Sequence, residues 1–513
     1  MKLQFIKMVV KKELFYSIIL FTVILGHGLQ AQSSSRPNIV FIMSDDHTSQ
    51  SWGIYGGILK DYVQNKNISR LAEEGAVLRN AFCTNSICVP SRASILTGQY
   101  SHDNKVFTLQ DSLNPHHDNI AKVLQEAGYQ TGLFGKWHLK SQPMGFDDYM
   151  VLPGQGIYHD PYFRGRDYWE NNQKNLIQKK GFSTDVITQM SLDWLDDRKT
   201  DQPFFLMCHF KATHEPFDYA HRFETLYQDV DIPTPDNLYD VGPSSTNRVF
   251  TGHSMDILGQ RYEQASTGDF WAKYPGLPFS TENLSADSAR YQIYQKFIKD
   301  FMRSGAGIDE NIGHILDYLD DRGLTENTIV IYTSDQGYFL GEHGFFDKRM
   351  MLEESLRMPF VIRYPKEIKG GSEVNDIILN IDFPALMADY AGLEKPSFIA
   401  GQSFREQLKG ESVKDWRNHM YYRYWTHSPT RPAHYGLRTE RYKLIYYYGR
   451  PMNNAGPQSE WTSPGWELYD LEKDPFENQN VYKEKKYRKI RQKLHKDLQQ
   501  AMADAGDQYD IKK

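Results

Sequence analysis

The sequence predicts an α/β fold: one large, mostly parallel sheet sandwiched by helices, followed by a smaller C-terminal α+β domain with an antiparallel sheet. Three observations carry that prediction. Short runs that are apolar on both faces recur at 38–43, 132–135, 204–210, 328–333 and 359–363, and such strands need cover on both sides, as parallel sheets have. Segments with helical spacing separate them, the alternation of an α/β chain. After Ala391-Gly392 the pattern changes to alternating or aromatic stretches such as 442–447, and a charged helix follows over roughly 483–503.

The elements have local reasons. Ile120, Val123, Leu124 and Ala127 fall on one helix face, and Gly128 follows as a stop. Ile312, Ile315, Leu316 and Leu319 repeat the pattern, closed by Gly323. Residues 215–300 are rich in Pro, Gly, Asp and Tyr with weak periodicity, and read as a long insertion that shapes a pocket. The organisation expected is a signal peptide over 1–31, a catalytic domain over 36–395 and a C-terminal α+β subdomain over 396–513.

Composition bounds the function. The chain has 513 residues, 40% hydrophobic and 24% charged, as a globular protein has. Its 59 basic and 65 acidic side chains leave a formal charge of −6, which argues against a nucleic-acid partner. An anionic substrate must therefore be held by local cations. Lys2, Lys7, Lys11 and Lys12 precede an apolar stretch at 14–25, and Leu29-Gln30-Ala31 resembles a cleavage site. That stretch is shorter than the roughly 20 residues of a span. The expectation is a periplasmic or secreted enzyme with no membrane span after signal cleavage. Three cysteines, Cys83, Cys88 and Cys208, do not make a disulfide scaffold. At least one thiol stays unpaired, and whether Cys83 and Cys208 pair is open.

Polar candidates sit just past the strands: Asp45 and Asp46 after the first, Lys136 and His138 after the second, His214 after the third, Asp335 and Gln336 after the fourth. Open parallel sheets place their sites at the carboxyl ends of strands. Asp45, Asp46, Asp335 and Gln336 offer hard oxygen donors that suit Ca²⁺ or Mg²⁺ rather than zinc. In Cys88-Val89-Pro90-Ser91-Arg92, Pro90 can begin a helix. Cys88 then sits at a helix N-terminus, where backbone dipoles favour negative charge.

That run, with Leu96-Thr97-Gly98 behind it, resembles the C-x-P-S-R maturation motif of the formylglycine-dependent sulfatases of the alkaline phosphatase superfamily. Gly135-Lys136-Trp137-His138, Thr213-His214-Glu215-Pro216 and the 344–349 run around Lys348 resemble the family's further elements, in its order. The resemblance implies that a formylglycine-generating maturation enzyme oxidises Cys88 to formylglycine. The hydrated aldehyde would attack sulfur, with Asp335 as base. One Ca²⁺, or Mg²⁺, would be held by Asp45, Asp46, Asp335, Gln336 and the modified Cys88. Gln336 departs from the commoner Asn but supplies the same oxygen on a longer arm. His214 with Lys348 would protonate the leaving alcohol. His138 would act as base in the second step, and Lys136 and Arg92 would stabilise the hydrated aldehyde. The 334–344 stretch and Asp347-Lys348-Arg349 look closest to N-acetylglucosamine-6-sulfatases. The implied substrate is a sulfated glycan bearing 6-O-sulfated N-acetylglucosamine. Alternatives are an iduronate or hexose 2-O-sulfatase, another carbohydrate sulfatase, or a phosphoester or phosphonate hydrolase of the same superfamily. Arg349, Trp425, His427 and Arg438 are the expected sugar contacts.

Overall fold

The computed structural model describes residues 36–166, 169, 176–240, 251–451 and 461–508, so the expected signal peptide at 1–31 lies outside the described residues. A ten-stranded mixed sheet organises the chain. Its centre is five parallel strands in the order Thr328–Ser334, Asn38–Asp45, Phe204–Thr213, Gln130–Lys136 and Asp148–Leu152. Toward both edges the pairing turns antiparallel, as where Phe360–Arg363 meets Thr328–Ser334.

The central strand Asn38–Asp45 is buried at every position, which is why its sequence shows no polar alternation. Its residues still sort by face. Ile39, Phe41 and Met43 join Phe205, Met207 and Ile331 on one side of the sheet. Val40 and Ile42 join Leu206, Cys208 and Val330 on the other. The first face is covered by the helices Cys88–Thr97, Ile120–Glu126 and Phe383–Tyr390, and the second by Ser183–Asp197 and Ala286–Asp321. Cys83 and Cys208 therefore lie on opposite faces, and all three cysteines are free thiols.

One expectation fails in extent. The helix ending before Gly323 is 36 residues long and begins at Ala286, inside the segment read as insertion. Ser285 caps it by accepting from the Ser288 N–H, and Asp287 lies in its first turn. Ile293, Tyr294, Phe297, Ile298 and Phe301 form a buried stripe along that first half. Interleaved Gln and Lys with a stripe rich in aromatic rings hid this face from a count of aliphatic positions.

The C-terminal sheet is a four-stranded antiparallel meander, His419–Tyr424, His434–Thr439, Tyr442–Tyr447 and Gly465–Asp470. The helix Arg488–Asp504 packs Leu494, Leu498 and Ala501 against Leu437, Leu444 and Leu468 of that sheet. Among the described residues no helix is long and apolar enough to cross a membrane.

Gly135 shows how tightly the strand ends are packed. Its φ is +103°, and a Cβ there would lie 1.9 Å from the His209 carbonyl oxygen of the neighbouring strand. No rotamer relieves a clash with backbone. Gly135→Ala is expected to destabilise the fold by about 2–4 kcal/mol, the scale of an unrelieved clash with an unfavourable φ. A thermal melt checks this, and an unchanged midpoint would contradict the packing.

Candidate active site

The parallel strands end side by side, so residues far apart in sequence meet at their carboxyl edge. Asp45 closes the first strand, Lys136 closes another, and His214 and Asp335 each follow one directly. Cys88 is the first residue of the helix Cys88–Thr97 and is 1% exposed. One ligand atom from each of Asp45, Asp46, Cys88 and His214 falls within 4.8 Å of all the others.

The Cys88 motif clamps this edge. Ser91 Oγ donates to the Asp335 carbonyl and accepts from Asn380 Nδ2 at 3.0 Å. Arg92 Nε donates to Asp335 Oδ2 at 2.9 Å, Nη2 to Asp45 Oδ1 at 3.3 Å and Nη1 to the Lys136 carbonyl at 2.7 Å. Arg92 thus ties three strand ends together. Lys136 Nζ donates to Asp45 and to Gln155. Lys348 Nζ pairs with Asp46 at 2.5 Å. The Asp46 N–H donates to Asp335 Oδ1 at 3.1 Å.

Electrostatics follow from burial. Burial pushes Asp46 up to about 6, with Lys348 opposing it. Burial and the neighbouring charge of Asp45 push Asp335 up to about 7. Burial also acts against ionised Asp45, but Lys136 and Arg92 hold its carboxyl well below the usual range. The Cys88 thiol is driven well above its ordinary value, first by burial and then by Asp45, Asp46 and Asp335. A helix N-terminus favours negative charge, and here burial with three carboxylates outweighs it. An unmodified thiol at this position stays protonated. Burial and nearby cations also push His138 and His214 far below the ordinary histidine range, so both are neutral. His214 Nδ1 donates to the Glu215 carbonyl at 2.8 Å, and its Nε2 lies 3.8 Å from Asp46 Oδ2.

A divalent cation fits this set. Three buried carboxylates converge, two of them resisting ionisation, and the buried Gln336 Oε1 has no partner while its Nε2 donates to Asp46. The amide can turn to present oxygen to a hard cation.

Beside Cys88 opens a cavity of about 410 Å³ whose lining includes Asp46, His214, Tyr338 and Lys348, and also Arg261, His253, Asp347, Arg349 and Arg431. Larger clefts of about 540 and 470 Å³ lie on the C-terminal sheet and hold none of the strand-end groups. Of the expected sugar contacts, only Arg349 lines the cavity. Its Nε donates to Asp347 Oδ2 at 2.7 Å, and His253 Nδ1 lies 2.9 Å from the same oxygen. The other three need correction. Trp425 is 1% exposed beneath the Arg423 guanidinium, 3.9 Å from its ring centre. His427 is fully buried and accepts from the Ala433 N–H. Arg438 pairs with Glu353 at 3.2 Å and lies over Phe82. Sequence reasoning missed His253, Arg261, Asp347 and Arg431 as lining residues. Asp347 lay in a motif already singled out; the others sit in loops and a helix with no local signal.

Buried carboxylates and cations gathered at the ends of parallel strands beside a cavity make the active site of an α/β enzyme with room for a divalent cation. The sulfatase family model matches residues 37–393, and a model described as N-sulphoglucosamine sulphohydrolase, C-terminal, matches residues 341–504. An N-acetylglucosamine-6-O-sulfatase of Bacteroides thetaiotaomicron is 37% identical over 94% of this chain and 88% of its own. The human N-acetylglucosamine-6-sulfatase is 26% identical over 85% of this chain and 71% of its own. A solved structure of a protein in complex with its substrate D-glucosamine-2-N,6-O-disulfate superposes with a TM-score of 0.82 at 35% identity, covering 93% of this chain and 99% of that one. The chain belongs to the sulfatase family and is a sulfuric ester hydrolase.

Adding a divalent cation to chelator-treated protein is expected to raise its melting temperature, by about 2.7 kcal/mol of stabilisation when the cation is at about 100 times its dissociation constant. Asp335→Asn should lose most of that shift. An equal shift in both proteins would remove Asp335 from the cation site.

Proposed function

We propose that the protein hydrolyses the 6-O-sulfate of N-acetylglucosamine-type residues in a sulfated glycan, using formylglycine made from Cys88. The observation that carries this reading is a single cavity with Cys88 at its floor and the Asp347–Arg349–His253 cluster on its wall. A carboxylate beside a guanidinium offers both an acceptor and donors to neighbouring sugar hydroxyls. The sugar ring would lie against this cluster while its sulfate reaches inward. The kinship with N-acetylglucosamine-6-sulfatases supports the same choice. So does the neighbour solved with a 6-O-sulfated glucosamine.

Formylglycine, once hydrated, supplies a hydroxyl nucleophile and a second hydroxyl that lets the sulfate depart, which a plain alcohol lacks. Asp45, Asp46, Asp335, Gln336 and the side chain at position 88 would hold one Ca²⁺, whose charge would offset that of the sulfuryl oxygens. Three carboxylates face Arg92, Lys136 and Lys348, a formal balance of zero, so a divalent cation leaves the site attractive to a sulfate. Lys348 stays charged beside Asp46 and Cys88, held well above its ordinary value by Asp46 although burial acts the other way. His214, its Nδ1 fixed on Glu215, directs Nε2 toward the centre. To act as the acid, Nε2 must first take up a proton, which the negative charge of a bound sulfate would favour; it would then pass that proton to the leaving sugar oxygen, with Lys348 beside it. His138 is buried and neutral, its Nδ1 without a partner, and is suited to accept a proton. Arg92 acts by positioning, since its donors hold Asp45, Asp335 and the Lys136 carbonyl. Lys136 would place its charge beside the hydrated group.

Residues 1–31 serve as a signal peptide for export to the periplasm or beyond, 36–395 carry the chemistry, and 396–513 complete the pocket through the loop holding Thr430 and Arg431. A maturation enzyme supplies the formylglycine.

Cys88→Ala is expected to abolish sulfate release, a loss of at least about 10⁴-fold for removal of a nucleophile, while the melting temperature stays near that of the parent. Near-normal turnover in that variant would end the reading. His214→Ala should slow the 6-sulfated sugar more than nitrophenyl sulfate, by a further factor of about 10², because nitrophenolate leaves without a proton. Equal losses on both would remove His214 as the acid.

A further inference from the structure

The small sheet carries a rank of aromatic side chains on a face that its helix covers only in part. Tyr435 lies opposite Tyr446, and Tyr446 opposite Trp466, on three neighbouring strands. Residues two apart along a strand share a face. Tyr435, Tyr446 and Trp466 therefore stand on the face of Leu437, Leu444 and Leu468, against which the helix Arg488–Asp504 packs. The three leucines are fully buried, whereas the aromatic rank beside them is only half-buried. Trp466 stacks on Tyr446 with ring centres 4.3 Å apart, and His495 of the helix stands across Trp466 at 4.3 Å.

The sheet contributes this rank to the cleft of about 540 Å³, and the helix contributes His495. Arg450 and Trp461 also line it, and Trp461 is 67% exposed. The cleft shares no described lining residue with the cavity at Cys88. Two features set it apart from ordinary surface. The Tyr435 and Tyr446 hydroxyls have no hydrogen-bond partner among the described residues, although a tyrosine oxygen held among other side chains usually finds one. No described lining residue is a carboxylate, in a chain with a formal charge of −6, and the formally charged side chain there is Arg450.

Contiguous rings left partly to water mark an interaction site. Rings with polar tips offer apolar faces and hydrogen bonds at once. A pyranose has the same division, with C–H groups on its faces and hydroxyls around its edge. Arg450, with no acid beside it in the lining, admits the uronate and sulfate groups of an acidic glycan without repulsion.

We propose that this cleft is a second glycan-binding site, which holds a stretch of an acidic polysaccharide other than the residue being cleaved. Holding a long chain at a second site raises the local concentration of its sulfated residues around the enzyme. The gain belongs to long chains only. The choice of a glycan rests on the proposed activity, but binding is measured without turnover, so the two can fail separately.

The probe is an unsulfated oligosaccharide that alternates uronic acid and N-acetylglucosamine, titrated calorimetrically. The parent protein is compared with Trp461→Ala, a change at an exposed side chain, and with Tyr446→Phe, which removes only a hydroxyl. Binding should weaken about tenfold in Trp461→Ala, the scale of one lost aromatic contact. It should weaken about threefold in Tyr446→Phe, the scale of one neutral hydrogen bond. In both variants kcat/KM for N-acetylglucosamine 6-sulfate should stay within about twofold of the parent, while that for a long 6-sulfated chain falls with the affinity. A parent that does not bind the probe overturns the proposal, as do affinities within about twofold of the parent in both variants. Equal losses on the monosaccharide and the long chain overturn it too. So does a parent that dimerises in sedimentation velocity where Trp461→Ala does not, which would give the cleft to a second copy of the chain. The expected binding pattern supports the cleft even where N-acetylglucosamine 6-sulfate is not turned over, a result that would remove the proposed activity alone.

Discussion

Charge compensation in a dry place governs this molecule. Asp45, Asp46 and Asp335 are all buried to within 1%, and carboxylates so placed repel one another and lose their hydration. The chain answers with Arg92, Lys136 and Lys348, each from a different segment and each buried. None of these six groups is tolerable alone. The geometry of the parallel strand ends, the helix that begins at Cys88 and the turn that carries Lys348 are all needed to bring them together. The closed Gly135 contact and the Ser91 clamp on Asp335 then read as devices that keep the strand ends in register.

Much of this was legible in the sequence because strand ends are where open parallel sheets gather their chemistry. Asp45, Lys136, His214 and Asp335 each stand at the end of an apolar run, and the structure brings them to one edge. The C-terminal sheet and its helix were also visible, from the change of pattern after Gly392. Other parts were hidden for physical reasons. The first half of the Ala286–Asp321 helix presents tyrosines and phenylalanines between lysines and glutamines, so its buried stripe looks polar by composition. His253, Arg261 and Arg431 reach the cavity only through tertiary folding, from elements without a motif. Trp425, His427 and Arg438 misled in the opposite sense. An aromatic or basic residue near a site invites a ligand role, but these three meet Arg423, Ala433 and Glu353 instead.

The cavity divides into a floor and a wall with different origins. The floor comes from strand ends and the Cys88 helix, parts of the central sheet's own architecture. The wall comes from the Met255–Thr267 helix through Arg261, from the turn holding Asp347 and Arg349, and from the loop between the first two strands of the small sheet. The floor thus rests on rigid elements of the core, while two of the three wall segments are connections, which can change without disturbing that core. Asp347 is the link, because it holds Arg349 and His253 while its neighbour Lys348 reaches the floor.

The burial of Cys88 has a consequence for timing. Its sulfur lies at the start of a helix buried at every residue, and it lines the cavity described above. An enzyme that must take hold of the surrounding peptide cannot do so once that helix is packed. If position 88 is to be altered by such an enzyme, the event belongs to the interval between synthesis and closure of the core. Chains that miss it would fold correctly and stay inert, and a late supply of the enzyme would not rescue them without unfolding.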